Sequence, residues 1–273
     1  MTKQFEATIL GSGPGGYVAA IRLGQLGIQT ALIEEAALGG VCLNVGCIPS
    51  KALIQAARLK RRIETATQMG IEPVNLKVDF TKTQTWKQNI VNRLTSGIEF
   101  LCKSNNVQII KGEGQFQSPH EIIVTTPTGT EIIESKNTII ATGSRAVQIP
   151  GLEFDGTNII SSTEALELQK IPPNFVVVGG GVTGLEMATI YAELGSKVTV
   201  IEMLDQLLPG VDIELVGIIE RSFRRLGIDY HVKSKAKEYR EGQVHATLED
   251  GAEATFPEVR CWSPSAEDQT ATT

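Results

Sequence analysis

Two cysteines, two glycine turns and two acidic residues carry the chemistry that this sequence can do. Cys42 and Cys47 stand five residues apart in Gly39-Gly40-Val41-Cys42-Leu43-Asn44-Val45-Gly46-Cys47-Ile48-Pro49-Ser50-Lys51. On a regular helix that spacing puts the α-carbons about 8–9 Å apart, whereas a disulfide accepts about 4.4–6.8 Å. A bridge therefore needs a distorted turn, which Asn44 and Gly46 permit, and a distorted bridge is easier to reduce. On residue types alone the pair is either redox-active or two unpaired buried thiols. No second Cys or His pair stands at ligand spacing, so metal ligation is disfavoured and no metal is expected. Cys102 falls in a helical stretch and reads as core.

Gly11-x-Gly13-x-x-Gly16 follows an apolar strand pattern and opens a helical one. Backbone without β-carbons lets a pyrophosphate approach, and the first N–H groups of the helix favour its oxygens. Glu34, at the end of the next strand pattern, is placed to accept from an adenosine ribose. The plainer alternative is a turn that only packs helix on strand. Gly179-x-Gly181-x-x-Gly184 and Glu202 repeat the pattern, with the same interval from the last glycine to the acid. Two such sites mean two dinucleotides, unless Glu202 is only a solvated strand end. A carboxylate there pairs with a free 2′-hydroxyl and repels a 2′-phosphate, so the second site should take NAD rather than NADP.

The elements that position these residues alternate between β-branched runs and amphipathic stretches, the signature of βαβ units. Strand 5–10, turn 11–16, helix 17–26 and strand 30–34 are matched by strand 175–178, turn 179–184, helix 185–194 and strand 197–202. Helical patterns at roughly 50–69 and 82–103 interrupt the first half, and short strands fill 107–141 with a hairpin turn at Pro127-Thr128-Gly129. A linker is expected over about 146–157, a helix over 212–226 and hairpins over 228–256. The fold class is thus α/β, with two Rossmann-like dinucleotide-binding domains over 1–150 and 151–260. The 273 residues carry 25 basic against 31 acidic side chains, a net charge of −6 that gives no reason to expect nucleic acid or an anionic membrane as partner. No apolar run approaches the ~18–20 residues of a membrane span, and the N-terminus lacks a signal-peptide core, so a cytoplasmic protein is expected.

The stretch from Gly39 to Lys51 resembles the redox signature of the flavin-dependent pyridine-nucleotide disulfide oxidoreductases, and within it Leu43-Asn44-Val45-Gly46-Cys47-Ile48-Pro49-Ser50-Lys51 is most similar to the members that oxidise dihydrolipoamide. Ala141-Thr142-Gly143-Ser144 and Gly179 to Glu186 extend the likeness from Phe5 to about Arg260. Thr183 and Ala146 depart from it, standing where a bulky aliphatic and a proline are common. The resemblance implies that FAD lies on Gly11, Gly13, Gly16 and Glu34, with Lys51 near the flavin and Gly114, Thr142, Gly143 and Ser144 along its path. NAD would lie on Gly179, Gly181, Gly184 and Glu202, with Glu186 close to the nicotinamide and the flavin. Cys42 would be the interchange thiol and Cys47 the thiolate against the flavin, its ionisation favoured by Lys51; otherwise Lys51 is an ordinary surface lysine. Electrons would pass from a dithiol through the redox disulfide and FAD to NAD. The implied partner is dihydrolipoamide on an acyltransferase or carrier protein of a 2-oxoacid dehydrogenase or glycine cleavage complex, with a homodimer as the full-length form. A related reductase acting on mercuric ion is the competing member, although no heavy-metal-binding cysteine module precedes the first strand.

Family members add a C-terminal dimerisation domain with a catalytic histidine. His120, His231 and His245 lack its His-Pro setting and read as surface residues. Residues 261–273 carry no strand or helix pattern where a buried strand is due. One allowed coding of that tail, read one base out of frame, gives Leu-Val-Ser-Val-Gly-Arg-Arg-Pro-Asn, which resembles the family's continuation. A frameshift after about Arg260 is the expectation, and the alternative to a working enzyme is a poorly soluble nucleotide-binding fragment that retains FAD weakly.

Overall fold

The computed structural model describes residues 2–72, 74–257, 261–262 and 267–268. It divides into two compact units, one built from Met1–Pro49 and Gln88–Arg145, the other from Ser50–Lys87 and Ala146–Glu267.

In the first unit, β1 (Thr2–Leu10) leads through α1 (Pro14–Gln25) to β2 (Thr30–Glu34), followed by the short α2 (Gly40–Asn44) and the start of α3 (Cys47–Glu64). The long α4 (Phe80–Ser104) precedes β3 (Gln108–Lys111), β4 (Glu113–Ser118), β5 (Glu121–Thr126), β6 (Gly129–Ile140) and β7 (Arg145–Ala146). The sheet order is β3-β2-β1-β6-β5-β4, parallel from β3 to β6 and antiparallel beyond. Side chains alternate across the strands, so each apolar run feeds two cores. Ile9 and Leu32 pack with Ala20 of α1 and Ile98 and Cys102 of α4, while Leu10, Ala31 and Ile33 pack on the opposite face with Ile122, Val124 and Ile133.

In the second unit, α5 (Ser162–Ala165), β8 (Asn174–Val178), α6 (Val182–Leu194), β9 (Lys197–Ile201), α7 (Ile213–Leu226) and β10 (Asp229–His231) come before the antiparallel sheet β11 (Lys235–Arg240), β12 (Gln243–Thr247) and β13 (Glu253–Pro257). The parallel sheet runs β10-β9-β8-β14, where β14 is Cys261–Trp262 paired with Val177 and Val178. Two residues of the tail that show no strand pattern thus join the sheet, because a backbone ladder needs only N–H and C=O groups opposite the free edge of β8. The other tail residues lie outside the described ones, apart from Glu267 and Asp268. Phe175 and Val177 pack with α6, Leu53 and Ala57 of α3 and Phe80, whereas Val176 and Val178 face the β11–β13 sheet.

The segment 146–157, expected as a linker, is part of that second core. Leu152 is buried, Ile149 and Phe154 pack around it, and the N–H of Tyr239 donates to the Gly151 carbonyl at 3.2 Å. Its two glycines and Pro150 shape a packed loop, since apolar residues spaced among them have a sheet face to cover.

Candidate functional site

Each cradle is built by one βαβ turn. A β-carbon on Gly16 would stand 1.8 Å from the Gly11 carbonyl oxygen, and one on Gly184 would stand 2.2 Å from that of Gly179. Only glycine lets the helix start this close to the strand end. Gly11 is itself pressed against the carbonyl of Ala141, with Thr142 Cα 3.1 Å from where its β-carbon would be, so the turn after β6 lies beside the first cradle. Gly143 continues that turn, Ser144 is half-buried after it, and Gly114 of β4 packs against Leu10.

The two cradle helices begin differently from α5 and α7. Gly13 caps α1 and Gly181 caps α6 with no side-chain hydrogen bond and no acidic residue in the first turn. By contrast α5 carries a Ser161/Glu164 capping box and α7 an Asp212 cap. A helix N-terminus presents unpaired N–H groups and a partial positive charge, and at both glycine turns they are left open to an incoming anion.

The acidic partners repeat the same geometry. Glu34 Oε2 accepts from the Ser12 N–H at 2.8 Å and Oε1 from the Ala36 N–H at 2.8 Å. Glu202 Oε2 accepts from the Gly180 N–H at 2.5 Å and Oε1 from the Leu204 N–H at 2.8 Å. Gly11 and Gly179 donate to Ile33 and Ile201 at 2.9 and 2.8 Å. Every one of these bonds has its counterpart in the other copy. Each carboxylate is aimed by two backbone donors and keeps lone pairs for a ribose hydroxyl, so the residues fit a dinucleotide at both turns. Glu202 is the more deeply placed, at 3% exposure.

The cysteines sit on two helices separated by a break. Asn44 Nδ2 donates to the Leu38 and Gly40 carbonyls, both at 2.9 Å, and ends α2; Val45 leaves the helical region at φ −138°, ψ 20°. A β-carbon on Gly46 would stand 2.9 Å from the Val41 carbonyl, so the sequence expectation of a turn shaped by Asn44 and Gly46 describes the backbone seen. Cys42 is half-buried in α2 and Cys47 is exposed at the start of α3, which removes the alternative of two buried core thiols. Cys102 is fully buried, and burial pushes its thiol up, the behaviour of a core residue.

In the second unit Lys51 Nζ lies 2.6 Å from Glu186 Oε1, and Ser50 Oγ donates to Oε2 at 3.0 Å. The resemblance put both Lys51 and Glu186 near the flavin, but their direct pairing and the part of Ser50 were missed, because a contact between two helices far apart in the chain leaves no trace in spacing. Sequence reading missed Ser12 for the same reason. All three histidines were expected at the surface: His120 is exposed, but His231 and His245 are half-buried, the first with its ring tilted at 53° to Phe256 and 5.3 Å from it, the second with Nε2 lacking a hydrogen-bond partner among the described residues. No helix is long and apolar enough to cross a membrane, and no cluster of three metal-ligating side chains occurs, among the described residues.

Known proteins resemble this chain in sequence and in fold. The family model described as pyridine nucleotide-disulphide oxidoreductase matches residues 5–261. A dihydrolipoyl dehydrogenase of Haloferax volcanii is 44% identical over 260 residues, covering 92% of this chain and 54% of that relative. One from Geobacillus stearothermophilus is 42% identical over 250 residues, covering 91% and 53%. Among solved structures, LpdA from Mycobacterium tuberculosis superposes with a TM-score of 0.84 at 27% identity, covering 95% of this chain and 58% of that one. The flavoprotein disulfide reductase RclA from Escherichia coli superposes with a TM-score of 0.82 at 27% identity, covering 98% and 58%. The chain spans about half the length of the curated relatives it matches. With its two glycine cradles, two cysteines on either side of one turn and a family match over nearly all of its length, the chain belongs to the pyridine nucleotide-disulphide oxidoreductases.

Proposed function

We propose that this chain carries the FAD-binding and NAD-binding parts of a dihydrolipoyl dehydrogenase, over 1–150 and 151–260. The observation that supports this most is the repeated cradle, with an aimed carboxylate in each copy, together with a cysteine turn that leaves the first copy directly. Gly11, Gly13, Gly16 and Glu34 hold FAD, with Gly114 and Thr142 to Ser144 along it; Gly179, Gly181, Gly184 and Glu202 hold NAD. Bound FAD supplies two-electron transfer between dithiol and nicotinamide. The chain's own part is thiol chemistry. A thiolate of dihydrolipoamide attacks Cys42 of the Cys42–Cys47 disulfide and releases Cys47 as thiolate. The second substrate thiol then attacks the mixed disulfide, releases Cys42 and leaves as lipoamide, so two electrons stay on the cysteine pair. Lys51, paired with Glu186, whose other oxygen accepts from Ser50, offers positive charge one helical turn beyond Cys47. The partner is a lipoyl group on a protein of a 2-oxoacid dehydrogenase or glycine cleavage complex, met in the cytoplasm by a homodimer.

The test is spectral and kinetic. Purified protein should be yellow, bleach with dihydrolipoamide and reduce NAD, and Cys42→Ser or Cys47→Ser should each abolish the bleaching while the colour remains. A yellow protein that bleaches without either sulfur would overturn the reading. Sequencing the locus across Arg260 tests the frameshift, which an adjacent frame without a family-like continuation would end.

A further inference from the structure

The two copies differ at one place that their shared geometry makes informative. Residue 12 is serine, and its counterpart in the second copy is Gly180. Ser12 is fully buried. Its Oγ donates to Glu34 Oε2 at 2.6 Å and accepts from the Gly39 N–H at 3.2 Å, and that N–H also lies 3.0 Å from the Ser12 carbonyl. In the second copy the counterpart of Gly39 is Leu208, whose N–H donates to the Gly180 carbonyl at 2.8 Å, and the side chain of Leu207 before it is fully buried. A β-carbon on Gly180 would stand 2.8 Å from Leu207 Cδ2 and 3.1 Å from Glu202 Oε2. One copy thus pairs serine with glycine, the other glycine with leucine. Where the second copy buries an apolar side chain, the first keeps a hydroxyl.

That hydroxyl has one proton to give and lone pairs to accept with. It spends the proton on the ribose-binding carboxylate and a lone pair on the first N–H of the cysteine turn. The turn is seated on the cradle itself: Gly39 and Gly40 have φ of 94° and 59°, and a β-carbon on Gly40 would stand 2.7 Å from Gly13 Cα. Cys42 follows two residues later.

We propose that Ser12 is a positioning residue that links Glu34 to the turn carrying Cys42, so that a dinucleotide ribose bonding to Glu34 also fixes that turn. The inference rests on the reading of the first cradle as the FAD site. A ribose diol donating to Glu34 immobilises the carboxylate, and the hydroxyl anchored on it then holds the Gly39 N–H in one setting. The second copy, with no hydroxyl at Gly180, has no such link.

The experiment combines equilibrium FAD titration of the reduced full chain with the rate of iodoacetamide alkylation at Cys42, read by peptide mass spectrometry with and without saturating FAD. In Ser12→Ala, FAD should bind about 10-fold more weakly, the loss of roughly one hydrogen bond to a charged group. At equal occupancy, the ratio of the two alkylation rates should move from its wild-type value toward one. A purely structural role would change both rates alike and leave the ratio. Ser12→Gly, which keeps every backbone bond and copies the second cradle, serves if Ser12→Ala does not fold. Wild-type affinity and ratio in either folded variant overturn the inference. A wild-type chain that binds no FAD overturns the assignment of the first cradle, and the link with it.

Discussion

Lys51 Nζ and Glu186 Oε1 are 2.6 Å apart, although one stands on α3 and the other on α6, far along the chain. The lysine side chain is 57% exposed, and pairs of that kind contribute about 1 kcal/mol or less to stability. Lys51→Met and Glu186→Gln should therefore each lower the unfolding free energy by less than about 1 kcal/mol, with a small coupling in the double variant. If the proposed function holds, dihydrolipoamide-dependent NAD reduction should fall by about 10-fold or more, as for the loss of one charge interaction near reacting groups. Urea melts and steady-state rates on the same preparations check both.

Gly16→Ala and Gly184→Ala separate the two cradles. The added methyl would meet a carbonyl oxygen at 1.8 or 2.2 Å, which backbone on both sides prevents from moving away. Each substitution should cost about 3 kcal/mol or more through strain, above the usual range for single changes. Gly16→Ala should lose FAD and keep NAD binding, and Gly184→Ala the reverse, as read by titration with each nucleotide.

On the proposed reading, Glu202 selects NAD over NADP. It is 3% exposed and holds the Gly180 and Leu204 N–H groups. Glu202→Gln removes the charge that repels a 2′-phosphate but keeps an acceptor. NAD affinity should fall about 10-fold, as for one hydrogen bond to a charged group, while the NAD-to-NADP affinity ratio narrows. Fluorescence titration with both reduced nucleotides reads this directly.

Glu193 on α6 gives a pH dependence with a definite sign. It is 9% exposed, and its Oε2 has no hydrogen-bond partner among the described residues. Burial pushes its carboxyl up, and the nearby Arg58, Arg61 and Arg62 pull it down without cancelling that effect. Lys60 faces the same turn and donates to the Glu193 carbonyl at 3.2 Å. Because the folded carboxyl titrates above the unfolded one, the ionised form is penalised in the fold. The penalty is full above the folded value and gone below about 4.3, the unfolded one. Glu193→Gln should be the more stable protein at pH 8, with the difference vanishing as pH falls through the carboxylate range. Thermal melts across pH 4–8 check it; a difference independent of pH would count against it.

Much of this protein is written locally. Glycine spacing, the acid at a fixed interval beyond each turn and the alternation of Ile9 with Leu10 fix each βαβ turn, because backbone approach and strand periodicity are short-range constraints. The duplication could be read for the same reason. Leu152 could not be placed: a glycine- and proline-rich segment has no period, and only a sheet face above it decides whether it is linker or core.

The sequence alone thus determined where the two glycine turns and their acids stand, which residues carry sulfur and which family they resemble, since those depend on residue type and neighbours along the chain. Tertiary structure alone decided that Lys51 pairs with Glu186, that Cys47 is exposed while Cys42 is half-buried, and that Ser12 touches both Glu34 and Gly39. Hydrogen bonds between distant segments follow from how helices pack on sheets, and residue order does not encode that distance.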